Sequence, residues 1–283
     1  VRILLLGRDG QLGQALQAPL GSAGAVTALG RSEVDFSEPD AVKTAIRDLQ
    51  PELIVNAAAY TAVDKAETDS ETAMRVNAVS VGVLGEEAAR IGAPVVHYST
   101  DYVFDGRKAS PYVETDPTGP LQIYGESKLA GENALLGSGA QAVILRTSWV
   151  YAARGRNFVH TMLRLGSERS ELRVVDDQVG APTSAEDLAA ATATLLANWQ
   201  QQRGVYHATA QGAVSWAGFA AEIFSIAGLA VKVVPIPAAD YPTPAARPQN
   251  SRLDCGKLKA DFGVELPAWQ DGLRRVMQQI TAG

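Results

Sequence analysis

Tyr124 and Lys128 stand four positions apart in the run Tyr124-Gly125-Glu126-Ser127-Lys128. On a helix that spacing puts both side chains on one face. A free phenol titrates near about 10. A neighbouring ammonium stabilises the phenolate and suits the phenol to proton transfer near neutral pH. Ser99-Thr100-Asp101 closes an apolar run upstream, so Thr100 offers a third group. A hydroxyl, a phenol and an ammonium converging on one carbonyl oxygen make a proton-donating site for hydride reduction. A tyrosine and a lysine at this spacing also arise by chance as an exposed contact. The pair therefore gains meaning from the elements around it.

The first such element is a glycine loop, Gly7-Arg8-Asp9-Gly10-Gln11-Leu12-Gly13, directly after the apolar run Val1–Leu6. Glycines there permit a tight turn and let backbone approach a pyrophosphate at a helix N-terminus. The spacing is G-x-x-G-x-x-G rather than the commoner G-x-G-x-x-G, but the physics is shared, and it points to NADPH or NADH. The next strand ends in Gly30-Arg31-Ser32. An acidic residue there would bind a ribose 2′-hydroxyl and favour NADH, whereas Arg31 and Ser32 suit a 2′-phosphate. The alternative for Arg31 is an ordinary solvated loop residue.

Short apolar runs alternate with helical patterns through the first half. Strands are expected at Val1–Leu6, Ala25–Leu29, Leu53–Asn56, Pro94–Ser99 and Val143–Arg146. Helices are expected at Gln11–Leu20, Asp40–Leu49, Glu71–Arg90 and Tyr124–Leu136. Strands without polar alternation, separated by helices, imply a parallel sheet covered on both faces. The expected fold class is therefore α/β, a doubly wound parallel sheet of Rossmann type with a smaller C-terminal substrate-binding lobe. In the second half, Asn157–Ser167, Glu186–Trp199 and a helix capped by Ser215 alternate with apolar runs at Leu172–Val175, Val205–Ala208 and Val231–Ile236. A segment with Pro235, Pro237, Pro242, Pro244 and Pro248 should be extended and stiff. The nucleotide-binding domain is expected over residues 1–148 and roughly 170–205, and the lobe over roughly 149–169 and 206–283.

Composition narrows the classes of function. Hydrophobic residues are 46% and charged residues 20% of 283, enough to bury a sizeable core. Lys+Arg number 25 against 31 Asp+Glu, a net charge of −6, which argues against nucleic acid as a partner. Cys255 is the one cysteine. With no internal disulfide possible and no zinc-ligand spacing, a reducing, cytoplasmic compartment is expected. No stretch approaches a membrane span, and the opening residues are too briefly apolar for a signal peptide.

Seven stretches then resemble, in order and over nearly the whole chain, the extended short-chain dehydrogenase/reductases. They are Ile3–Gly13, Leu53–Glu67, Ser99–Gly106, Tyr124–Glu132, Leu145–Tyr151, Asp177–Thr183 and Tyr241–Asp254. The last two resemble specifically the branch that reduces a 4-keto nucleotide sugar to dTDP-L-rhamnose. The resemblance implies NAD(P)H-dependent reduction of the C4 ketone of dTDP-6-deoxy-L-lyxo-4-hexulose, with Tyr124 as proton donor. It implies that Lys128 binds the nicotinamide ribose and lowers the phenol's pKa, and that Thr100 completes the triad. Gly7, Gly10, Gln11, Leu12 and Gly13 would lie along the pyrophosphate, with Asp35 and Phe36 near adenine. Ala59, Tyr60, Thr61 and Tyr98 would line the cofactor cleft. Thr100, Asp101 and Trp149 would touch the sugar nucleotide, and Asn77 would support the site. Some members dimerise around magnesium held by carboxylates, one of them on the first helix. Here that helix reads Gln14-Ala15-Leu16-Gln17. Glu186 matches a second such carboxylate, but one ligand cannot make a hard-cation site. No bound metal is expected, and a homodimer held by magnesium is doubtful.

Outside the triad, Arg247 is the better candidate of Arg247 and Arg252 for a nucleotide diphosphate, the alternative being a pair with a local carboxylate. Trp149 is expected to stack on ligand rather than serve as a core aromatic. Asp64, Lys65 and Glu67 read as a solvated, salt-bridged helix start, and His97, His160 and His207 carry no assigned chemistry. Two other functions stay open: an enzyme acting on a different nucleotide sugar, and a non-catalytic NADP-binding regulatory subunit. The intact Thr100, Tyr124 and Lys128 set weighs against the second. Arg31→Ala should raise KM for NADPH about five-fold while leaving KM for NADH nearly unchanged, since an exposed guanidinium–phosphate contact is worth on the order of 1 kcal/mol. Steady-state kinetics with both cofactors checks it, and equal changes would make Arg31 an ordinary loop residue.

Overall fold

The computed structural model describes residues 1–282. Six strands form one wholly parallel sheet: β1 (Arg2–Leu6), β2 (Ala25–Leu29), β3 (Leu53–Asn56), β4 (Val95–Thr100), β5 (Ala142–Thr147) and β6 (Gly204–His207). Their order is β6-β5-β4-β3-β1-β2. The order reverses beside β1, which opens the crevice where such sheets bind ligands. Alternate residues feed two cores. Ile3, Leu5, Val55, Val96 and Leu145 pack under helix α1 (Gln11–Ala23) and the helix Ala185–Asn198. Leu4, Leu6, Ile54, Val95 and Ile144 pack under Pro39–Leu49, Ser80–Ile91 and Ile123–Gly137. Because both faces are covered, the strands read as continuous apolar runs.

The expected elements form with instructive differences. Helix α1 runs past Pro19 and Gly21 to Ala23, because fully buried Leu16 and Leu20 anchor its last turns. The run expected as one helix over Glu71–Arg90 is Ser70–Met74 and Ser80–Ile91, joined by a π-helical turn at Arg75–Val79. That extra residue per turn is a device common at functional sites. Asn157, Ser184 and Ser215 each cap a helix by accepting an amide hydrogen bond at its first turn; of the three, Ser215 is the cap expected from its residue type.

The expected division of the chain needs two corrections. The run near Val205 is strand β6 of the main sheet, paired with β5, so the nucleotide-binding sheet extends to His207. Glu171–Val175 pairs instead with Lys232–Ile236 and belongs to the lobe, whose core holds Leu172, Val174, Phe219, Phe224 and Leu273. Sequence shows a strand but not its partner, and the partner decides the domain. The helices Gly256–Phe262 and Trp269–Ala282 were not anticipated. Leu258 and Phe262 return the chain to the first core.

A buried ion pair ties β5 to the helix Ile123–Gly137. Arg146 donates to both oxygens of Glu132, at 2.9 and 2.6 Å, and Ser99 also donates to that carboxylate. Both side chains are almost wholly buried. Removing one partner leaves a buried uncompensated charge, whereas removing both does not. Arg146→Met should lose about 3–5 kcal/mol of stability, and Arg146→Met with Glu132→Leu should recover most of it. Urea denaturation of the three proteins checks this.

Candidate active site

The glycine loop builds a cleft of about 420 Å³ whose walls include Gly7, Gly10, Arg31, Asp35, Phe36, Ala59 and Tyr60. Gly7 has φ +84°, and a methyl there would lie 2.5 Å from the Ala58 amide. A methyl at Gly13 would strike the Gly7 carbonyl oxygen. The loop therefore packs backbone on backbone, which brings the start of α1 up to the cleft. That N-terminus has no side-chain cap and no acid in its first turn. Its N–H groups at Gln11 and Leu12 fit an anionic pyrophosphate, while the Gly10 amide donates to the Gly7 carbonyl. The Gln11 side chain turns to the lobe, where its Oε1 accepts from Asn157 at 2.7 Å. Leu12 packs against the core.

At the far wall, exposed Arg31 pairs with Asp35 at 3.2 Å, and Asp35 also accepts from the Ser37 amide at 2.8 Å. Phe36 is buried. The Tyr60 amide donates to Asn77 Oδ1 at 2.8 Å, and Asn77 Nδ2 donates to the Tyr60 carbonyl at 3.0 Å and to Ser127 at 2.9 Å. Asn77 thus uses the π-helical turn to join the cleft wall to the helix that carries Tyr124. Thr61 is exposed, and its carbonyl accepts from the Val63 amide. The Tyr98 side chain requires a correction. Its ring lies in the core beneath the helix Ala185–Asn198, with its hydroxyl bonded to Thr192 at 2.7 Å. Strand alternation turns it away from the cofactor cleft.

Thr100 ends β4 with its hydroxyl donating to Asp101 Oδ1 at 3.2 Å and accepting from the Tyr102 amide at 3.2 Å. Burial pushes the Tyr124 phenol up to about 12, the Thr100 hydroxyl draws it back down, and Asp101 pushes it up. Lys128 is 2% exposed. Its Nζ donates to the Tyr98 carbonyl at 2.7 Å and lies 3.4 Å from His97 Nε2. Burial brings its ammonium down to about 8, against the opposing pull of Glu132. Asp101 is buried, with Oδ2 making no hydrogen bond. Desolvation pushes its carboxyl up to about 7, and the Ser251 and Thr100 hydroxyls act the other way. A buried carboxyl with one free oxygen at the mouth of the site is equipped to meet a ligand hydroxyl.

Trp149 has φ +49°, a strained conformation for an aromatic residue. Its ring stacks on Trp216 at 3.5 Å and packs so closely on Gly180 that any side chain there would collide with it. The half-buried indole is held from the lobe side. Trp216 and Gly180 were not anticipated as its supports.

Arg247 is the clearest correction. It is bound to Asp64 at both oxygens, each at 2.9 Å, and donates further to Thr243 and to the Ala245 carbonyl. Asp64 stays partly exposed and salt-bridged at the start of the helical turn Val63–Ala66, as expected, with the distant Arg247 as its partner. The guanidinium holds its carboxyl below the usual range. Arg247 ties the proline-rich segment to the helical turn Val63–Ala66 instead of standing free for a diphosphate. The stretch Tyr241–Asp254 is stitched to two of the other matching stretches: the Asn250 amide donates to the Gly106 carbonyl, and the Ser251 amide to that of Val179. Tyr102 lies under this corner, edge-on to Tyr124 at 5.9 Å.

Glu186 is half-buried, with its carboxyl pushed up by burial. Among the described residues no group of three or more His, Cys, Asp or Glu could hold a metal ion. Among them, too, no helix is long and apolar enough to cross a membrane.

A phenol and a buried amine at the carboxyl edge of a parallel sheet, with a glycine-loop cleft after its first strand, define an NAD(P)-dependent oxidoreductase of Rossmann type. Comparison with known proteins narrows the class. The family model described as RmlD substrate binding domain matches residues 1–282. A dTDP-4-dehydrorhamnose reductase of Burkholderia thailandensis is 48% identical over 285 residues, spanning 95% of this chain and 96% of its own. The structure of a Bacillus anthracis dTDP-4-dehydrorhamnose reductase in complex with NADP has a TM-score of 0.93 at 35% identity, covering 98% of this chain and 99% of that one. A Clostridium acetobutylicum ortholog gives 0.95 at 37% identity, covering 99% and 100%. The chain belongs to the RmlD-type family of short-chain dehydrogenase/reductases.

The Arg247–Asp64 pair should govern how tightly the proline-rich segment is held. Asp64→Ala should make residues 241–248 cut several-fold faster by a protease, with little change in global stability, because a part-exposed pair contributes only on the order of 1 kcal/mol. Timed limited proteolysis followed by mass spectrometry checks this.

Proposed function

We propose that the protein reduces the C4 ketone of dTDP-6-deoxy-L-lyxo-4-hexulose to dTDP-L-rhamnose, with NADPH preferred over NADH. Family membership supports the substrate. The chemistry is supported by Thr100 at the end of β4, whose hydroxyl acts on the Tyr124 phenol, and by Tyr124 and buried Lys128 one turn apart on the adjoining helix. The cofactor preference rests on Arg31, exposed in the cleft wall two residues after β2, whose guanidinium suits a 2′-phosphate.

The reduced nicotinamide supplies the hydride when bound. The protein's part is proton delivery. Tyr124 donates its phenolic proton to the oxygen that becomes the C4 hydroxyl and is left as phenolate, to be reprotonated from solvent. Its high resting value keeps that proton in place until charge develops on the substrate oxygen. Thr100 supplies a hydroxyl to the same oxygen and steadies the phenolate. Lys128, as an ammonium, stabilises the phenolate and binds the nicotinamide ribose. Asp101 meets a sugar hydroxyl with its free oxygen, and Trp149 gives the sugar nucleotide a flat apolar face. Arg247 acts by fixing the segment that closes over this pocket.

Tyr124→Phe should keep cofactor affinity and lower kcat by about 100-fold or more, the usual worth of a positioned general acid. Cofactor titration and turnover with a panel of 4-keto nucleotide sugars measure both. Near wild-type turnover would remove Tyr124 as donor, and a preference for another sugar would redirect the substrate.

A further inference from the structure

The proposed reduction calls for an ammonium at Lys128, and the role of its neighbour rests on that reading of the site. The neighbour is His97, wholly buried on β4. Its Nε2 faces Lys128 Nζ at 3.4 Å, and its Nδ1 lies 3.0 Å from Asn56 Nδ2. Asn56 and His97 are register partners on adjacent strands.

The hydrogen-bond chain fixes the position of the imidazole proton. The Ala58 amide can only donate, and at 3.1 Å it meets Asn56 Oδ1. The other end of that carboxamide is therefore the NH₂ group, which donates to His97 Nδ1. Nδ1 must then carry a lone pair, so a neutral ring bears its proton on Nε2. That N–H points at Lys128. An ammonium has three donors and no lone pair, so protonated Lys128 meets this donor with a donor. A neutral amine accepts from Nε2–H and still donates to the Tyr98 carbonyl. Protonating the ring offers no escape, since burial and the Lys128 charge hold it far below its usual range.

We propose that Asn56 and His97 form a tautomer lock that disfavours the ammonium form of Lys128 and so sets the pH at which the enzyme loses it. They are positioning residues, acting through the lysine. The other ionisable groups around the amine do not relieve the conflict. Glu132, one turn along the same helix, is engaged by Arg146 and Ser99. Tyr124 lies one turn back, and Asp101 acts on Tyr124 from the end of β4.

The direct test needs no substrate. Nitrogen-15 NMR of the cofactor-free protein, labelled in its three histidines, reports the tautomer of each ring. His97 should show a bare Nδ1 and a protonated Nε2, unchanged from about pH 5.5 to 9, because its neutral form persists throughout. A proton on Nδ1 in the wild type overturns the lock. The second test uses Asn56→Asp and Asn56→Ala. The carboxylate accepts from both the Ala58 amide and Nδ1–H, which moves the ring proton to Nδ1. The alanine removes the Nδ1 donor without adding charge or a hydroxyl. Activity should fall as pH rises through the Lys128 value, and this limb of kcat/KM should move up by about one pH unit or more in both variants. A shift with Asp alone makes the effect one of added charge and also overturns the lock. If neither variant folds, the wild-type spectrum still decides. If no 4-keto sugar is turned over, the proposed function fails while the spectrum continues to test the lock.

Discussion

Burying the Lys128 amine under the end of β4 is the constraint on which the rest of the site depends. A buried ammonium is costly unless polar groups surround it. Here the surroundings are the Tyr98 carbonyl, the His97 ring and, more distantly, the Glu132–Arg146 pair. Each comes from β4, β5 or the helix that carries Tyr124 and Lys128. Because a parallel sheet is covered on both faces, its polar side chains can gather only toward the strand ends. The row of register partners Ser99 and Arg146, with His207 beside Arg146 on β6, shows that gathering. The helix with Tyr124 is held to the sheet by the same groups that make the lysine tolerable.

The cofactor side solves a different problem, the approach of backbone to backbone. Gly7 and Gly13 let the loop fold onto itself and onto Ala58. Asn77 then bridges Tyr60 to Ser127 from a π-helical turn, so the wall of the cleft and the helix that carries Tyr124 are one hydrogen-bonded unit. On the substrate side the lobe contributes rigidity. Trp149 is pinned between Trp216 and Gly180, and the proline-rich segment is fixed through Arg247 to Asp64. Stiffness built in before binding lowers the entropy lost when a ligand is enclosed.

Much of this was legible in the residues themselves. Unbroken apolar runs between helical patterns specified a parallel sheet, because burial on both faces leaves no polar alternation. Ser215 marked a helix start through short-range capping. Tyr124, Lys128 and the glycine loop stood at spacings with direct physical meaning. The helices Gly256–Phe262 and Trp269–Ala282 also left a signal, Leu258 with Phe262 and Leu273 with Val276 and Met277, apolar at helical intervals.

Tertiary structure decided what depends on partners distant in the chain. Tyr98 and His97 are neighbours, yet one enters the core beside Thr192 and the other meets Lys128. Alternation separates them, and only the helices above and below say which face is which. Glu171–Val175 reads as a strand from its residues, but its pairing with Lys232–Ile236 moves it into the lobe. Arg247 carries a charge suited equally to a phosphate and a carboxylate, and the fold sets Asp64 against it across 183 positions. Local preferences act over a few residues and so are written in the sequence directly. Ion pairs, tautomers and strand partners depend on what the completed fold brings within about 3 Å, the reach of a hydrogen bond.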